Sequence, residues 1–129
     1  MKILAVDDEL VSRKKMVKIL SAFGQCDSVK SGSAAISVVK ASMEEGNPYR
    51  LITLDISMPD VSGTRVLDEI RKMEEAKGIP YEEKISILMV TSKSDVETVR
   101  ACAGKCNGYV VKPFDRDIMV GKMKKIGLL

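Results

Sequence analysis

Leu51-Ile52-Thr53-Leu54-Asp55-Ile56-Ser57-Met58-Pro59 is an apolar run that stops on a carboxylate and passes into a proline-containing loop. A short apolar run of this kind reads as a buried strand. In an open α/β sheet, ligands bind outside the carboxyl ends of the strands. Asp55 therefore stands where a reactive group belongs, and the fold turns on what the other strand ends place beside it.

Short apolar runs and amphipathic stretches alternate outward from this point in both directions. Ile3–Val6 reads as a buried strand that stops at Asp7-Asp8. Leu10–Phe23 follows as a helix with Met16, Ile19, Leu20 and Phe23 on one face, and Gly24 takes the usual C-terminal position. Cys26–Val29 is a strand by context. Ser31 and Ser33 offer caps for a helix reaching about Glu45, carrying Ile36, Val38, Val39 and Met43, and Gly46-Asn47-Pro48 is a turn. Arg50–Leu54 is the central strand, and Ser62 or Thr64 opens a helix that turns Val66, Leu67, Ile70 and Met73 inward.

Ala76–Lys84, with Gly78 and Pro80, is the longest irregular connection. Ile85–Val90 is nearly all apolar and reads as a second fully buried strand. Ser94-Asp95-Val96-Glu97 has the form of a capping box and opens a short polar helix ending near Gly104. Tyr109–Val111 is the fifth strand, broken by Lys112-Pro113-Phe114, and Asp115 caps a last helix containing Ile118, Met119, Met123 and Ile126. Five strands alternating with five helices predict an α/β fold whose parallel sheet is covered on both faces, with right-handed crossovers. One domain is expected over 1–129.

Composition narrows the chemistry. The chain of 129 residues has no histidine, three cysteines and a net charge of +3 with both signs interspersed. Without histidine there is no Ser-His-Asp, Cys-His or His-metal chemistry, and a general base must be Asp, Glu, Lys or Tyr. Cys102 and Cys106 lack zinc-ligand spacing and partners, so small buried thiols are expected. Arg13-Lys14-Lys15 and Lys122, Lys124 and Lys125 read as solvated helix faces rather than a nucleic-acid stripe. No apolar run reaches the length of a membrane span and the N-terminus lacks a signal-peptide pattern, so a cytosolic protein is expected.

Four strands end in polar residues: Asp7-Asp8, Asp55, Thr91-Ser92 and Lys112. In a doubly wound five-stranded sheet of order 2-1-3-4-5, the first and third strands flank the switch point. Asp7, Asp8 and Asp55 then converge in one crevice, where metal-free carboxylates raise one another's pKa. An all-oxygen set favours Mg²⁺, with Mn²⁺ as a substitute. Lys112 adds a positive charge and Thr91 a hydroxyl, which completes a cradle for a phosphoryl group. Asp55 is the candidate nucleophile, forming an acyl phosphate, and the small Ser92 leaves its approach open. Taken singly, Asp8 or Thr91 could merely cap a helix, Asp55 could be a turn residue and Lys112 a surface charge. Together, in order at successive strand ends, they argue for a site.

Val6-Asp7-Asp8-Glu9, Leu54-Asp55-Ile56-Ser57-Met58-Pro59 with Gly63, Val90-Thr91-Ser92 and Gly108-Tyr109-Val110-Val111-Lys112-Pro113-Phe114 resemble the receiver domain of two-component response regulators, of the CheY-like kind. The resemblance runs the length of the chain and implies the flavodoxin-like fold. It implies that Asp55 accepts a phosphoryl group from a histidine on a partner kinase or phosphotransfer protein. Asp8 would then ligate Mg²⁺ directly, Asp7 mostly through water, and the Ser57 carbonyl would complete the protein ligands. Lys112 would pair with phosphoryl oxygens, and Thr91 would swing toward them and let the Tyr109 ring turn inward. Ser94–Ala103, Tyr109–Val111 and the last helix would form the face read by a downstream target. Ser57 and Lys93 occupy positions that tune phosphoryl lifetime in that family, and a Lys93 cation at the mouth is expected to hinder the attacking water. The Ala76–Lys84 connection looks longer than usual there and suggests at most a partner contact.

Other function classes fit less well. A Mg²⁺-dependent phosphohydrolase of the haloacid dehalogenase type needs Asp-x-Asp on the first strand and a cap domain, which Asp7-Asp8-Glu9 does not match. A flavin binder needs a Ser-, Thr- and Gly-rich phosphate loop where the acidic pair stands. A degenerate receiver serving as an unphosphorylated binding module is at odds with the intact Asp8, Asp55 and Lys112. With no output domain expected, the output passes through another protein.

Overall fold

Successive side chains of a strand point to opposite faces of a sheet, and in this chain both faces are apolar. The computed structural model describes residues 1–129 apart from the side chain of Lys93. Strands β1 (Lys2–Val6), β2 (Gln25–Val29), β3 (Leu51–Asp55), β4 (Ser86–Thr91) and β5 (Gly108–Val111) form one sheet. Helices α1 (Leu10–Leu20), α2 (Gly32–Glu44), α3 (Gly63–Ala76), α4 (Val96–Arg100) and α5 (Arg116–Lys125) connect or follow them. All neighbours pair in parallel, in the order β2-β1-β3-β4-β5.

The alternation sorts the core into two layers. Leu4, Val6, Ile52, Leu54, Ile87 and Met89 pack with α2 and α3, and Val99 and Cys102 join them from the α4 region. Ile3, Ala5, Leu51, Leu88, Val90 and Val110 face the other way, against Met16 and Leu20 of α1 and Met119 and Met123 of α5. Central strands buried on both faces need continuous apolar sequence, and β3 is buried at all five positions. The edge strand β2, Gln25-Cys26-Asp27-Ser28-Val29, is only half-buried or exposed. Its Asp27 accepts a hydrogen bond from the Tyr49 hydroxyl at 2.8 Å.

Helix ends follow local chemistry where it is strong. Ser31 accepts from the Ala34 N–H, Ser62 from the Arg65 N–H and Asp115 from the Ile118 N–H, so each side chain satisfies a backbone donor left over by the first helical turn. α1 departs from expectation. It stops at Leu20 because the next residues tighten into shorter-range bonds, Phe23 N–H donating to the Leu20 carbonyl. Gly24 is not a left-handed cap: a Cβ there would lie 2.0 Å from the Met1 carbonyl oxygen, so glycine serves a close backbone approach.

The capping box at Ser94–Glu97 does not form. Lys93–Asp95 is a 3₁₀ turn, α4 begins at Val96 without a side-chain cap and ends at Arg100 rather than near Gly104. The Ser94 hydroxyl is engaged instead with that of Ser92, 2.8 Å away. The thiols also depart from expectation, since Cys102 is buried but Cys26 and Cys106 are only half-buried.

The Ala76–Lys84 connection is less irregular than its composition implies. It holds a 3₁₀ turn at Tyr81–Glu83 after Pro80. Fully buried Glu74 anchors its far end, accepting from Arg71 Nη1 at 2.7 Å and the Ile85 N–H at 2.7 Å. Arg71 also donates to the Ile85 and Lys105 carbonyls and to Asn107 Oδ1. A buried carboxylate is tolerable because its partners leave no lone charge.

α3 starts hard against β3. The Gly63 N–H donates to the Ile56 carbonyl at 2.8 Å, and a Cβ on Gly63 would lie 2.2 Å from the Asp55 carbonyl oxygen. Backbone cannot yield as a flexible side chain can, so Gly63→Ala is expected to cost about 1–3 kcal/mol of stability. Gly121, on the exposed side of α5, has nothing within 4 Å of such a Cβ, and Gly121→Ala should stabilise by about 0.5–1 kcal/mol. Urea unfolding of both variants checks the pair, and a Gly63→Ala protein as stable as wild type would contradict the contact.

Candidate functional site

Three strand ends bring charge together. Asp7 follows β1, Asp55 is the last residue of β3, and Lys112 follows β5. One carboxylate oxygen from each of Asp7, Asp8 and Asp55 lies within 4.8 Å of the others, with Asp7 and Asp55 buried and Asp8 exposed. The Lys112 ammonium stands 3.1 Å from Asp7 Oδ2 and 3.9 Å from Asp55 Oδ2. Glu9, whose role no local pattern in the sequence signals, holds the same ammonium through its Oε1 at 2.7 Å. Asp7 is itself fixed: its Oδ1 accepts from the Glu9 N–H, and Arg13 donates to its carbonyl.

The competing local roles are not realised for the acids. α1 has no side-chain cap, so Asp8 does not cap it. Asp55 pairs in register with Val90 as part of the sheet and is no turn residue. Burial, and next the Asp7 carboxylate, push the Asp55 carboxyl up to about 7; Lys112 pulls against them and Asp8 adds to the rise. The Glu9 carboxyl is held below its ordinary range by the hydrogen bond from Lys112 and by its charge. Burial works against the Lys112 charge, but its bonds to Glu9 and Asp7 and the nearby Asp55 charge hold its pKa above the ordinary value.

Among the described residues, neither Thr91 nor Tyr109 makes a side-chain hydrogen bond to this cluster, although the Thr91 carbonyl accepts from the Lys112 N–H at 2.8 Å. The Thr91 side chain is buried, and its hydroxyl donates to the Ser92 carbonyl at 2.9 Å rather than to any of the acids. Tyr109 lies opposite Met89 in the register and is half-buried against the α2–α3 layer. The Lys122 ammonium sits 4.9 Å from its ring centroid.

Ser57 and Ser92 are exposed, and both hydroxyls donate to Asp95 Oδ2, at 3.2 and 3.1 Å. The Lys93 side chain lies outside the described residues.

The loop between β3 and α3 is tied down by another carboxylate, that of Asp60. Asp60 accepts from the N–H groups of Gly32 and Ser33 and from the Ser33 hydroxyl, at 3.1, 2.9 and 2.7 Å. These bonds hold its carboxyl well below the usual range. A Cβ on Gly32 would lie 2.7 Å from the Val61 carbonyl oxygen, so the same loop presses on the start of α2. A cavity of about 630 Å³ lies elsewhere, lined by Arg50, Arg71, Tyr81, Lys84 and Ile126, and shares no residue with the acidic cluster.

The donor set suits a hard divalent cation: carboxylate oxygens only, close together, with neither histidine nor cysteine among them. A doubly wound parallel sheet with acids, not a phosphate-cradling glycine loop, at its switch point has the form of a CheY-like receiver domain. The chain belongs to the response regulator receiver domain family, whose sequence model matches residues 3–124.

It is 32% identical over 129 residues to the chemotaxis protein CheY of Pseudomonas aeruginosa, covering 98% of this chain and 95% of that one. It is 33% identical, again over 98% of its length, to hybrid signal transduction histidine kinase L of Dictyostelium discoideum, of which it spans 7%. Among solved structures, Vibrio cholerae CheY4 superposes with a TM-score of 0.77 at 22% identity, over 97% of both chains. Receiver domains of this kind are signalling switches rather than metabolic enzymes, and the kind implies histidine kinase or phosphotransfer partners. No helix among the described residues is long and apolar enough to cross a membrane.

The raised Asp55 pKa carries a sign. Between the ordinary carboxylate range and about 7, the folded metal-free protein keeps a proton that the unfolded chain releases. Stability from this group is present at low pH and is lost as pH rises toward about 7. Unfolding free energies in chelator should show wild type losing ground to Asp55→Asn between about pH 4 and about pH 7. A difference independent of pH would mean that Asp55 titrates normally.

Proposed function

We propose that residues 1–129 act as a phosphoacceptor switch of two-component signalling, with Asp55 as the acceptor. The observation that carries this is the approach of the Asp7, Asp8 and Asp55 carboxylates to within 4.8 Å, with Lys112 3.9 Å from Asp55. Asp8, Asp55 and the Ser57 carbonyl would hold Mg²⁺, or Mn²⁺ in its place, with Asp7 acting through water. Bound there, the cation neutralises charge on the phosphoryl oxygens during in-line transfer.

The donor is a phosphorylated histidine of a sensor kinase or phosphotransfer protein. A carboxylate oxygen of Asp55 attacks phosphorus, the P–N bond breaks and the electron pair returns to the imidazole, leaving an acyl phosphate on Asp55. The Lys112 ammonium, already between Asp7, Glu9 and Asp55, has only to shift toward the new oxygens. Thr91 has to release the Ser92 carbonyl to donate to them, and that vacates space toward which the Tyr109 ring turns. The face from Ser94 to Val111 with α5 then presents a changed surface to a target protein. The chain catalyses its own phosphorylation and dephosphorylation, in the cytosol, without direct contact to nucleic acid.

Intact mass after acetyl phosphate with Mg²⁺ tests the acceptor. Wild type should gain one metal-dependent phosphoryl adduct and Asp55→Asn none. Absence of an adduct on a wild type that still binds Mg²⁺ would favour an unphosphorylated binding module. A companion measurement concerns lifetime: Lys93→Ala should lose its phosphoryl group faster than wild type. A rate unchanged or slower would remove Lys93 from the access path.

A further inference from the structure

Two loops border Asp55, and one carboxylate outside the acidic cluster joins them. Ser57 lies two residues beyond Asp55, between β3 and α3, and Ser92 directly follows Thr91 at the end of β4. Both hydroxyls donate to the same oxygen, Oδ2 of Asp95, at 3.2 and 3.1 Å. Asp95 is half-buried at the end of the 3₁₀ turn and does not cap α4, so its side chain serves this bridge rather than the helix. Its backbone closes the loop from the other side, the Asp95 N–H donating to the Ser92 carbonyl at 3.1 Å. That carbonyl is also the acceptor of the Thr91 hydroxyl. Ser92 is thus gripped at its side chain and its carbonyl by one residue, in the arrangement in which the Thr91 hydroxyl bonds to the Ser92 carbonyl and not to Asp55.

We propose that Asp95 is a positioning residue that latches the resting state, holding Thr91 away from Asp55 through the Ser57–Asp95–Ser92 bridge. The inference rests on the reading of Asp55 as phosphoacceptor and adds a restraint that the acceptor chemistry has to overcome. For the Thr91 hydroxyl to reach oxygens on Asp55, residues 91 and 92 have to move, and the hydrogen bonds to Asp95 oppose that movement. The bridge also spans to the loop whose Ser57 carbonyl is the proposed metal ligand. The two loops are thereby tied through one oxygen atom, so a displacement of either would strain the hold on the other. Carboxylate–hydroxyl bonds of this kind are charge-assisted. Losing two at a partly exposed position corresponds to roughly a three- to tenfold change in the balance of states.

The test uses the full chain and beryllofluoride, a phosphoryl mimic for carboxylates, with Mg²⁺. Saturable binding to wild type supports the acceptor reading itself, and no binding to wild type would sink that reading, not the latch. Asp95→Ala should bind the mimic roughly three- to tenfold more tightly than wild type. Asp95→Asn, whose amide oxygen still accepts from both serines, should stay close to wild type. The Ser57→Ala, Ser92→Ala double variant should tighten binding as Asp95→Ala does, and adding Asp95→Ala to it should change little more. Without any ligand, the Thr91 methyl resonance should shift in Asp95→Ala but not in Asp95→Asn, a readout that general loss of stability does not produce. Unchanged or weakened affinity in Asp95→Ala overturns the latch. So does an unmoved Thr91 methyl in the ligand-free variant, whether or not wild type binds the mimic.

Discussion

Among the described residues, one ammonium group is shared by several carboxylates, and the behaviour of the site follows from that arrangement. Lys112 lies within ion-pair distance of Asp7, Glu9 and Asp55, and Asp8 adds a further acid to the crevice. Burying carboxylates without full compensation is costly, and a free chain would swing them apart. The parallel sheet does not allow it, because β1 and β3 are paired along their lengths and end side by side. The leftover negative charge has two outlets. Asp55 keeps a proton to unusually high pH, or a cation enters and removes the need for one.

The sheet also turns the side chains of the charged cluster and those of Thr91 and Tyr109 to opposite faces. Asp7 and Lys112 continue the alternation of Ala5 and Val110, which face α1 and α5. Thr91 continues that of Ile87 and Met89, and Tyr109 packs in the same layer, toward α2, α3 and the α4 region. Thr91 is the last paired residue of β4, opposite Val111, and Ser92 follows it out of the sheet. That end is held by hydrogen bonds among Ser92, Ser94 and Asp95. Asp60 and Gly63 pin the loop beside Asp55 to α2 and β3, and the Arg71–Glu74 pair fixes the chain at the far end of α3. α4 has one turn or so of helix, with Val99 as its buried residue.

Much of this was legible in the sequence because its carriers are local. Apolar runs such as Leu51–Leu54 and Ile85–Val90, each closed by a polar residue, give the strands and the order of the acids, and the acids lie at the strand ends where the runs place them. Serine and aspartate caps at Ser31, Ser62 and Asp115 were visible for the same reason. What escaped depends on contacts between distant residues. Glu9 reaches Lys112 across 103 positions, Asp95 reaches Ser57 across 38, and Asp60 reaches Gly32 across 28. No period or spacing announces such pairs. Ser94–Glu97 shows the converse: a sound local signal for a capping box lost because Ser92 offered the Ser94 hydroxyl another partner. Gly24 misled in the same way, its role being set by the Met1 carbonyl on a neighbouring segment.

The edge strands carry a consequence for how this molecule meets copies of itself. An open sheet ends in rows of unpaired backbone groups, which invite a strand from another chain. Here those rows are short, five residues in β2 and four in β5. β2 also carries exposed Gln25 and Ser28 and an aspartate committed to Tyr49, a poor template for a flat hydrophobic strand. Growth by sheet extension, the route to fibrils, is thereby discouraged at both borders. Association with other proteins is left to the helical faces, where contacts can form and dissolve without disturbing the strands that hold the acids in place.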